Sequence, residues 1–564
     1  MKVRKITTYN QLGEEENILG IIGRDGFVGK NVSAILGKGT ESSPISLTSV
    51  VDDYTTLYFE RGVYYVSQLE ISNKTNITFL MNDATIHLTG DAFVTATNCP
   101  YISFYGGKIS GNNSAVRGVF LTNCKNATIE NVSFENFGNA STEGASMLNL
   151  FGDCTGFRVL NSTFNNCTSG VVGTDGYIHA WGIFVNRLST GFSKEGVISG
   201  CTISNIAGTD SSEKKADGDG IFVQAPPFLN SDGSVEWRRD HKIIIENCVF
   251  KDCKKRAIKC AATCVTVRGC TISGAMWNSG IDARFGHLRV YDTYINNTSD
   301  YDGSFGCCII TCDGDFVADG CTFSAKYADG SYRNAIRIDT RFSESVVPAT
   351  MPYEKIRISN CFFDNVGYAV NAYSSGAKMK LTSIEIENCR IGKFKIGNPF
   401  FISNTLIDTI ETIVVTNWEF DAGKNRTEVK SEISEFTYPI TFNVDPTICC
   451  EIHSTHWESE PISNITPTSP NGYIEFTGNI GGIVYKKYAS YGSQFVGTAD
   501  PMSVASTLGK QLLYKSKVGD IYKNKQNATV WICSMEGTSN EVGTWKQLSG
   551  TTTETAQNGN DILY

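Results

Sequence analysis

Apolar and polar positions alternate along most of the chain in a unit that keeps returning. Its clearest copy is Ile245-Glu246-Asn247-Cys248-Val249-Phe250, which reads apolar, free, Asn, Cys, free, large apolar. The pattern returns as Ile129-Glu130-Asn131-Val132-Ser133-Phe134 and as Val159-Leu160-Asn161-Ser162-Thr163-Phe164. Further copies start at Ile198, Val267, Val290, Ala318, Ile358, Ile386 and Val415. All ten copies hold Phe or Ile at the sixth position, from Phe134 to Phe420. Alternation of period two, rich in β-branched and aromatic residues, predicts strands. A short strand cannot bury its apolar side alone, but stacked copies bury it continuously. Successive starts lie 22 to 47 residues apart, so the shortest step reads as one bare turn and the longer ones as a turn plus a loop. The expected fold is all-β, a parallel β-helix solenoid with coils ~4.8 Å apart.

Each column of the repeat has its own physical task. Asn131, Asn161, Asn247, Asn360, Asn388 and Asn417 mark a bend, where a short amide bonds the backbone or the next Asn in the stack. Gly200, Gly269 and Gly320 replace it, as a turn tolerates. Cys201, Cys248, Cys270, Cys321, Cys361 and Cys389 fill the next column, small and inward.

A second strand follows in each coil. Its inward residues align as Ile183, Ile221, Ile258, Ile281, Ile309, Ile336 and Val370, each preceded by Gly, Ala or Cys. The residues after them form an outward row of Phe184, Phe222, Lys259, Asp282, Ile310, Arg337 and Asn371. Three past the inward residue come Asn186, Gln224, Ala261, Arg284, Cys312, Asp339 and Tyr373.

The 564 residues divide on this pattern. Residues 1–50 lack the repeat and read as an attachment segment, 51–485 as the helix, 486–550 as a small C-terminal β module and 551–564 as a frayed tail. Loops expected at 170–182, 207–218, 226–241 and 341–353 would wall a groove on one side. No apolar run reaches the ~18 residues of a membrane span. The basic start, Met1-Lys2-Val3-Arg4-Lys5, runs into polar residues rather than an apolar signal core, so no secretory signal is expected. The 19 Cys are expected as reduced core thiols, six of them in the solenoid column. No metal site and no cofactor are expected, since Cys and His do not converge at ligand spacing.

A net charge of −9 argues against a nucleic-acid partner. Between Glu236 and Lys259, however, eight basic residues face four acidic ones. That stretch is either a patch for a polyanion or a solvated face with internal ion pairs.

The candidate chemistry gathers on the outward row. Asp217-Gly218-Asp219-Gly220 enters it from a loop. In an extended run Asp217 and Asp219 lie ~6.6 Å apart, and Asp219 to Asp282 spans two coils, ~9.6 Å. Both are near the ~6.5–9.5 Å that inverting glycosidases use to admit a water between acid and base. Asp217, Asp219 and Asp282 are therefore the candidate catalytic residues, against the plainer reading of the Asp-Gly-Asp-Gly run as a turn. Lys259, Arg284, Arg337 and Asp339 would hold a sugar, with Trp237, Trp181 and Trp277 as stacking platforms. The cations alternatively suit a lyase, which must quench a uronate carboxylate.

Through this stacked motif, residues 55–485 resemble the right-handed β-helix superfamily of pectate lyases and polygalacturonases. More narrowly they resemble a phage tailspike or tail-fibre depolymerase. Asp219-Gly220-Ile221 is similar to the Asp-Gly-Ile that begins the polygalacturonase site. The next coil departs from that family, with Arg256-Ala257-Ile258-Lys259-Cys260 in place of Asp-Asp-Cys, and His287 lies in Gly286-His287-Leu288 rather than Gly-His-Gly. The resemblance implies a homotrimer in the virion tail, assembled in the bacterial host cytoplasm. It would be attached to tail or baseplate proteins through the N-terminus, and it would bind and depolymerise bacterial surface or capsular polysaccharide. Hydrolysis is favoured over elimination, with a non-catalytic glycan-binding or structural virion protein as the alternative.

Overall fold

In a computed structural model, the chain is described over residues 4–9, 15–22, 28–138, 144–169, 177–188, 191–210, 216–225, 228–229, 235–236, 241–262, 264–284, 287–299, 306–311, 316–325, 334–339, 355–372, 379–392, 400–402, 407–417, 419–420, 440–442, 446–454, 473–478, 484–488, 492–497, 499–504, 513, 516–537 and 542–548. Over these residues it is a right-handed parallel β-helix. Each regular coil contributes three strands. One coil runs Lys242–Glu246, the Asn247 corner, Val249–Cys253, then Arg256–Ala262. Each strand pairs in parallel with its counterpart one coil on, as Ile245↔Val267, Phe250↔Ile272 and Ile258↔Ile281 show. The third sheet alone stacks 13 strands, from Leu69–Ser72 to Ile440–Phe442.

The sixth-position column expected from the repeat is continuous in register from Phe134 to Phe420. Its members from Phe134 to Ile391 are fully buried, and neighbouring rings stack, Phe134 on Phe164 at 4.9 Å and Phe323 on Phe363 at 5.4 Å. Each such side chain contributes about 1.5–3 kcal/mol by leaving water, which is what holds a coil that has no core of its own.

The Asn column owes its identity to backbone shape. Asn131, Asn161, Asn247, Asn360, Asn388 and Asn417 all have φ between +49° and +57°, the left-handed region that Asn and Gly tolerate. Amide-to-amide bonds between coils occur elsewhere, as from Asn98 to Asn73, Asn166 to Asn136 and Asn371 to Asn334. The cysteines whose side chains are described, from Cys99 to Cys389 and Cys533, are free thiols, and all of these but Cys264 are buried. Each sulfur of the motif column donates to the carbonyl two residues earlier, as Cys248 does to Glu246 at 3.2 Å. Ser162 and Thr293 fill the same column with hydroxyls.

In the third sheet the residue before the inward one is small because it too points inward. A Cβ on Gly220 would sit 2.7 Å from the Ala257 carbonyl oxygen and 3.0 Å from Phe250 Cδ1. One expected register is corrected here. Cys308, not Ile309, pairs with Ile281 and Ile336, so Ile309 takes the register position expected for Ile310, and Thr311 that expected for Cys312. Two adjacent Cys let the apolar run Cys307-Cys308-Ile309-Ile310 fit either way, and the ladder selects the smaller residues for the crowded side.

Pairing switches from parallel to antiparallel between Tyr473–Gly478 and Val484–Tyr488. Beyond it Ile521–Asn524, Thr529–Met535 and Thr544–Leu548 form an antiparallel sheet over Phe495, Tyr522, Cys533 and Trp545. At the other end, Arg4–Tyr9, Glu15–Ile22 and Val28–Asn31 pair antiparallel, and the last joins Thr56–Tyr58 in parallel. No helix among the described residues is long and apolar enough to cross a membrane.

Candidate functional site

Three consecutive strands of the third sheet, Gly218–Ala225, Arg256–Ala262 and Ser279–Arg284, bring the Asp-Gly-Asp-Gly run and the basic stretch together. Register sets Asp219 beside Arg256, and Lys259 beside Asp282. The preceding strand, Ala180–Asn186, brings His179 alongside: the Asp217 carbonyl accepts from Ala180 N, and Asp217 N donates to His179 Nδ1 at 2.7 Å. Gly208 closes over this point, where a Cβ would stand 2.3 Å from the Asp217 carbonyl oxygen.

Arg256 is the centre of the arrangement and is 3% exposed. Its Nη1 donates to Asp217 Oδ1 at 2.9 Å and to Asp219 Oδ1 at 3.1 Å. Its Nε lies 2.7 Å from Asp282 Oδ2. That contact is too bent to count as a hydrogen bond, so it acts chiefly through charge. Lys259 Nζ donates to Asp217 Oδ2 at 2.5 Å, and Lys255 Nζ lies 3.2 Å from Asp217 Oδ1. Asn278 Nδ2 donates to Asp282 Oδ2 at 3.2 Å. Three carboxylates thus face three cations, almost entirely out of water.

The environment separates the two neighbouring carboxyls. Burial opposes ionisation of Asp217, but the charges of Arg256, Lys259 and Lys255 outweigh it and hold that carboxyl well below the usual range. Asp219 has no exposure. Burial, reinforced by the adjacent Asp217 charge, raises its pKa to about 6 despite Arg256. Burial also lowers the His179 pKa, with Lys259, Lys255 and Arg256 adding to the effect against Asp217. Because Nδ1 accepts from the backbone, the neutral ring carries its proton on Nε2.

Beside the charges runs an aromatic stack. Trp181 lies on Phe184 at 4.5 Å, Phe184 on Phe222 at 5.0 Å, and His179 tilts against Trp181 at 5.3 Å. The stack ends where Lys259 Nζ stands 4.3 Å from the Phe222 ring centre. Trp181 and His179 are half-buried and form the surface of this strip, while Phe184 and Phe222 lie beneath. Lys254, the neighbour of Lys255, stands over Trp277 at 4.1 Å.

Asp217, Asp219, Asp282 and Lys259 therefore share one wall, as expected, but in a cluster rather than as carboxyls spaced along an extended run. Both Asp217 and Asp219 reach the same guanidinium nitrogen, so no water fits between them. Arg337 stands two coils beyond Asp282 on the outward row, past Ile309. Arg284 and Asp339 occupy register positions in line with Thr311, but their side chains lie outside the described residues. Trp237 lies outside them altogether, as do most of the four long loops. Described parts of those loops pair antiparallel, Tyr177–Ile178 with Thr209–Asp210 and Phe228–Leu229 with Val235–Glu236. Of the eight basic residues counted between Glu236 and Lys259, Lys255, Arg256 and Lys259 are turned into the cluster. Among the described residues no His, Cys, Asp and Glu group is arranged to hold a metal.

Sequence reasoning missed Arg256 and His179. The signal for Arg256 was present: the row one place before the small residue reads Trp181, Asp219, Arg256, Ser279, with opposite charges on successive coils. His179 had no such signal, because a loop delivers it.

The overall fold is similar to solved tailspike proteins of Escherichia coli bacteriophage HK620. One variant of that tailspike, in complex with a pentasaccharide, superposes with a TM-score of 0.51 at 12% identity, covering 87% of this chain and 85% of that one. Another, in complex with a hexasaccharide, gives 0.52 at the same identity and coverage. The likeness is one of fold. No protein-family model and no curated protein matches the sequence.

Proposed function

We propose that the chain is a tailspike-type virion protein that recognises a bacterial surface polysaccharide along the outer face of its third sheet. The observation that carries this reading is the strip formed by His179, Trp181 and Lys259 beside the buried ion cluster. A flat indole offers a face to the C–H side of a sugar ring, with half-buried His179 beside it. The buried charges lock the strip's geometry, which lowers the ordering cost of binding. The oligosaccharides held by the tailspikes of similar fold support the choice of ligand class. Homotrimer formation and attachment to tail or baseplate proteins through the N-terminus belong to the same reading.

Depolymerisation is the second reading, favoured by the separated titration of Asp217 and Asp219. One carboxyl stays ionised while its neighbour holds a proton near pH 6, which is the division of labour hydrolysis needs. Asp219 is sealed and Asp217 is tied to three cations, so hydrolysis on these residues requires that the cluster open. Binding is the better supported role.

The test incubates the protein with purified host glycan and measures binding, new reducing ends and ultraviolet absorbance. Binding without new ends is the expected result, and Trp181→Ala should weaken it about tenfold. New ends without absorbance support hydrolysis, and new ends with absorbance mean elimination. Absence of binding refutes the reading.

A further inference from the structure

The corner that leads from the third sheet into the first carries two exposed tyrosines. Its column reads Tyr54, Asn76, Tyr101, Asn126 and Gly156 on successive coils. The N–H of each of the first four donates to the next coil, to Thr75, Pro100, Lys125 and Thr155 at 2.8–3.1 Å. All five have φ between +54° and +83°. Asn and Gly tolerate that region, but a bulky aromatic residue there is strained. Burial does not compensate, since Tyr54 is 59% and Tyr101 53% exposed. Strained backbone under a large ring left in water is the mark of a residue held for an outside partner.

The ladder fixes the spacing. Tyr54 and Tyr101 stand two coils apart, ~9.6 Å, close to the advance of two pyranose units in an extended chain. Asn76 and Asn126 alternate with them at steps of one coil. Two residues further along the chain, Thr56, Thr78, Ser103 and Thr128 pair in register as a half-exposed row of hydroxyls. A ring face for every second sugar, with amides and hydroxyls between, matches a polymer that repeats at this period. A β-strand repeats its side chains every ~6.6 Å and falls out of step. The cations beside the ridge are matched, Lys74 with Asp52 at 2.5 Å and Lys125 with Asp153 at 2.9 Å, so the ridge suits an uncharged chain rather than an acidic one.

We infer that this ridge is a second saccharide site, for an extended, uncharged, β-linked glycan whose alternate rings lie on Tyr54 and Tyr101. It stands on coils that precede the Trp181 strip and does not rest on that strip's role.

Calorimetric titration of the whole chain with cellohexaose, and with maltohexaose as a coiled, α-linked control, tests it. Cellohexaose should bind at least about tenfold more tightly. Tyr54→Asn and Tyr101→Asn should each weaken that binding about tenfold, and the double variant should abolish it. Asn suits the left-handed backbone, so the double variant should melt no lower than wild type, whereas removing rings that served the fold would lower its melting. Trp181→Ala should leave cellohexaose affinity unchanged, so failure here is distinguishable from failure of the sheet-face reading. No cellohexaose binding, equal binding of the two hexaoses, or loss of binding in Trp181→Ala would each overturn the proposal. So would a double variant with wild-type affinity, a lower melting temperature or an altered oligomeric size, the last making the ridge a contact between copies of the chain.

Discussion

Replacing Arg256 by Met is the most informative single perturbation of this protein. Met keeps much of the length and apolar volume of Arg and deletes only the charge and donors. Arg256 serves Asp217, Asp219 and Asp282, and the last two are 0% and 2% exposed, so water cannot take its place. Breaking a buried pair from one side costs about 3–5 kcal/mol, because a charge is left unpaired in a poor solvent. Three acceptors share this donor, and Lys259 and Lys255 still neutralise Asp217, so the loss falls on Asp219 and Asp282. Solenoid stability is a sum of neighbour terms, which makes the damage local. Amide exchange in Gly218–Ala225, Arg256–Ala262 and Ser279–Arg284 should accelerate about a hundredfold or more, at ~1.4 kcal/mol per decade. Exchange around Phe134 and Phe164 should not change. Adding Asp219→Asn to Arg256→Met should restore at least ~1 kcal/mol, since an amide needs no counter-charge. Exchange in the three strands within threefold of wild type would refute the claim that this cluster orders the face.

The raised pKa of Asp219 gives stability a definite sign with pH. The folded state holds a proton that the unfolded chain releases above about 4, so this group's contribution falls as pH rises from about 4 to about 6 and is level above that. Its size is at most ~3 kcal/mol. Asp217, lowered when folded, acts below that window and in the opposite direction, losing its contribution as pH falls. Denaturant titrations from pH 4 to 7 should show the decline in wild type and its absence in Asp219→Asn. Gly220→Ala places a Cβ 2.7 Å from a carbonyl oxygen of the next coil and should cost ~1–3 kcal/mol in a denaturant titration. Cys248→Ser should cost no more than ~1–2 kcal/mol, because Ser162 already fills the same column, bonding Val132 N and the Leu160 carbonyl. In the native protein the Cys248 sulfur should react with a thiol reagent only after unfolding, as read by mass spectrometry.

Much of the fold was legible in the repeat, because in a solenoid each local pattern is also the global one. Phe at the sixth position, Asn at the third and Cys at the fourth recur for reasons that act within a coil and its neighbour: a buried ring, a left-handed backbone, a small inward atom. Only at Cys307-Cys308-Ile309-Ile310 was the pattern degenerate, and there the ladder chose a register one residue away. The candidate site was legible only as a location. Asp217, Asp219, Lys259 and Asp282 were placed on one wall by counting residues along strands. That counting assumes extended geometry and says nothing of depth. The third dimension made Arg256 the hub, since a long side chain can reach the coil on either side and no period records its reach. It also decided that Asp219 lies sealed and Asp217 almost so, because exposure depends on which loops close over a position. His179 arrived by such a loop. Sequence by itself determined the winding and the identity of each face, as both follow from periods of two residues and one coil. Tertiary structure alone decided which charges meet and which of them water can reach.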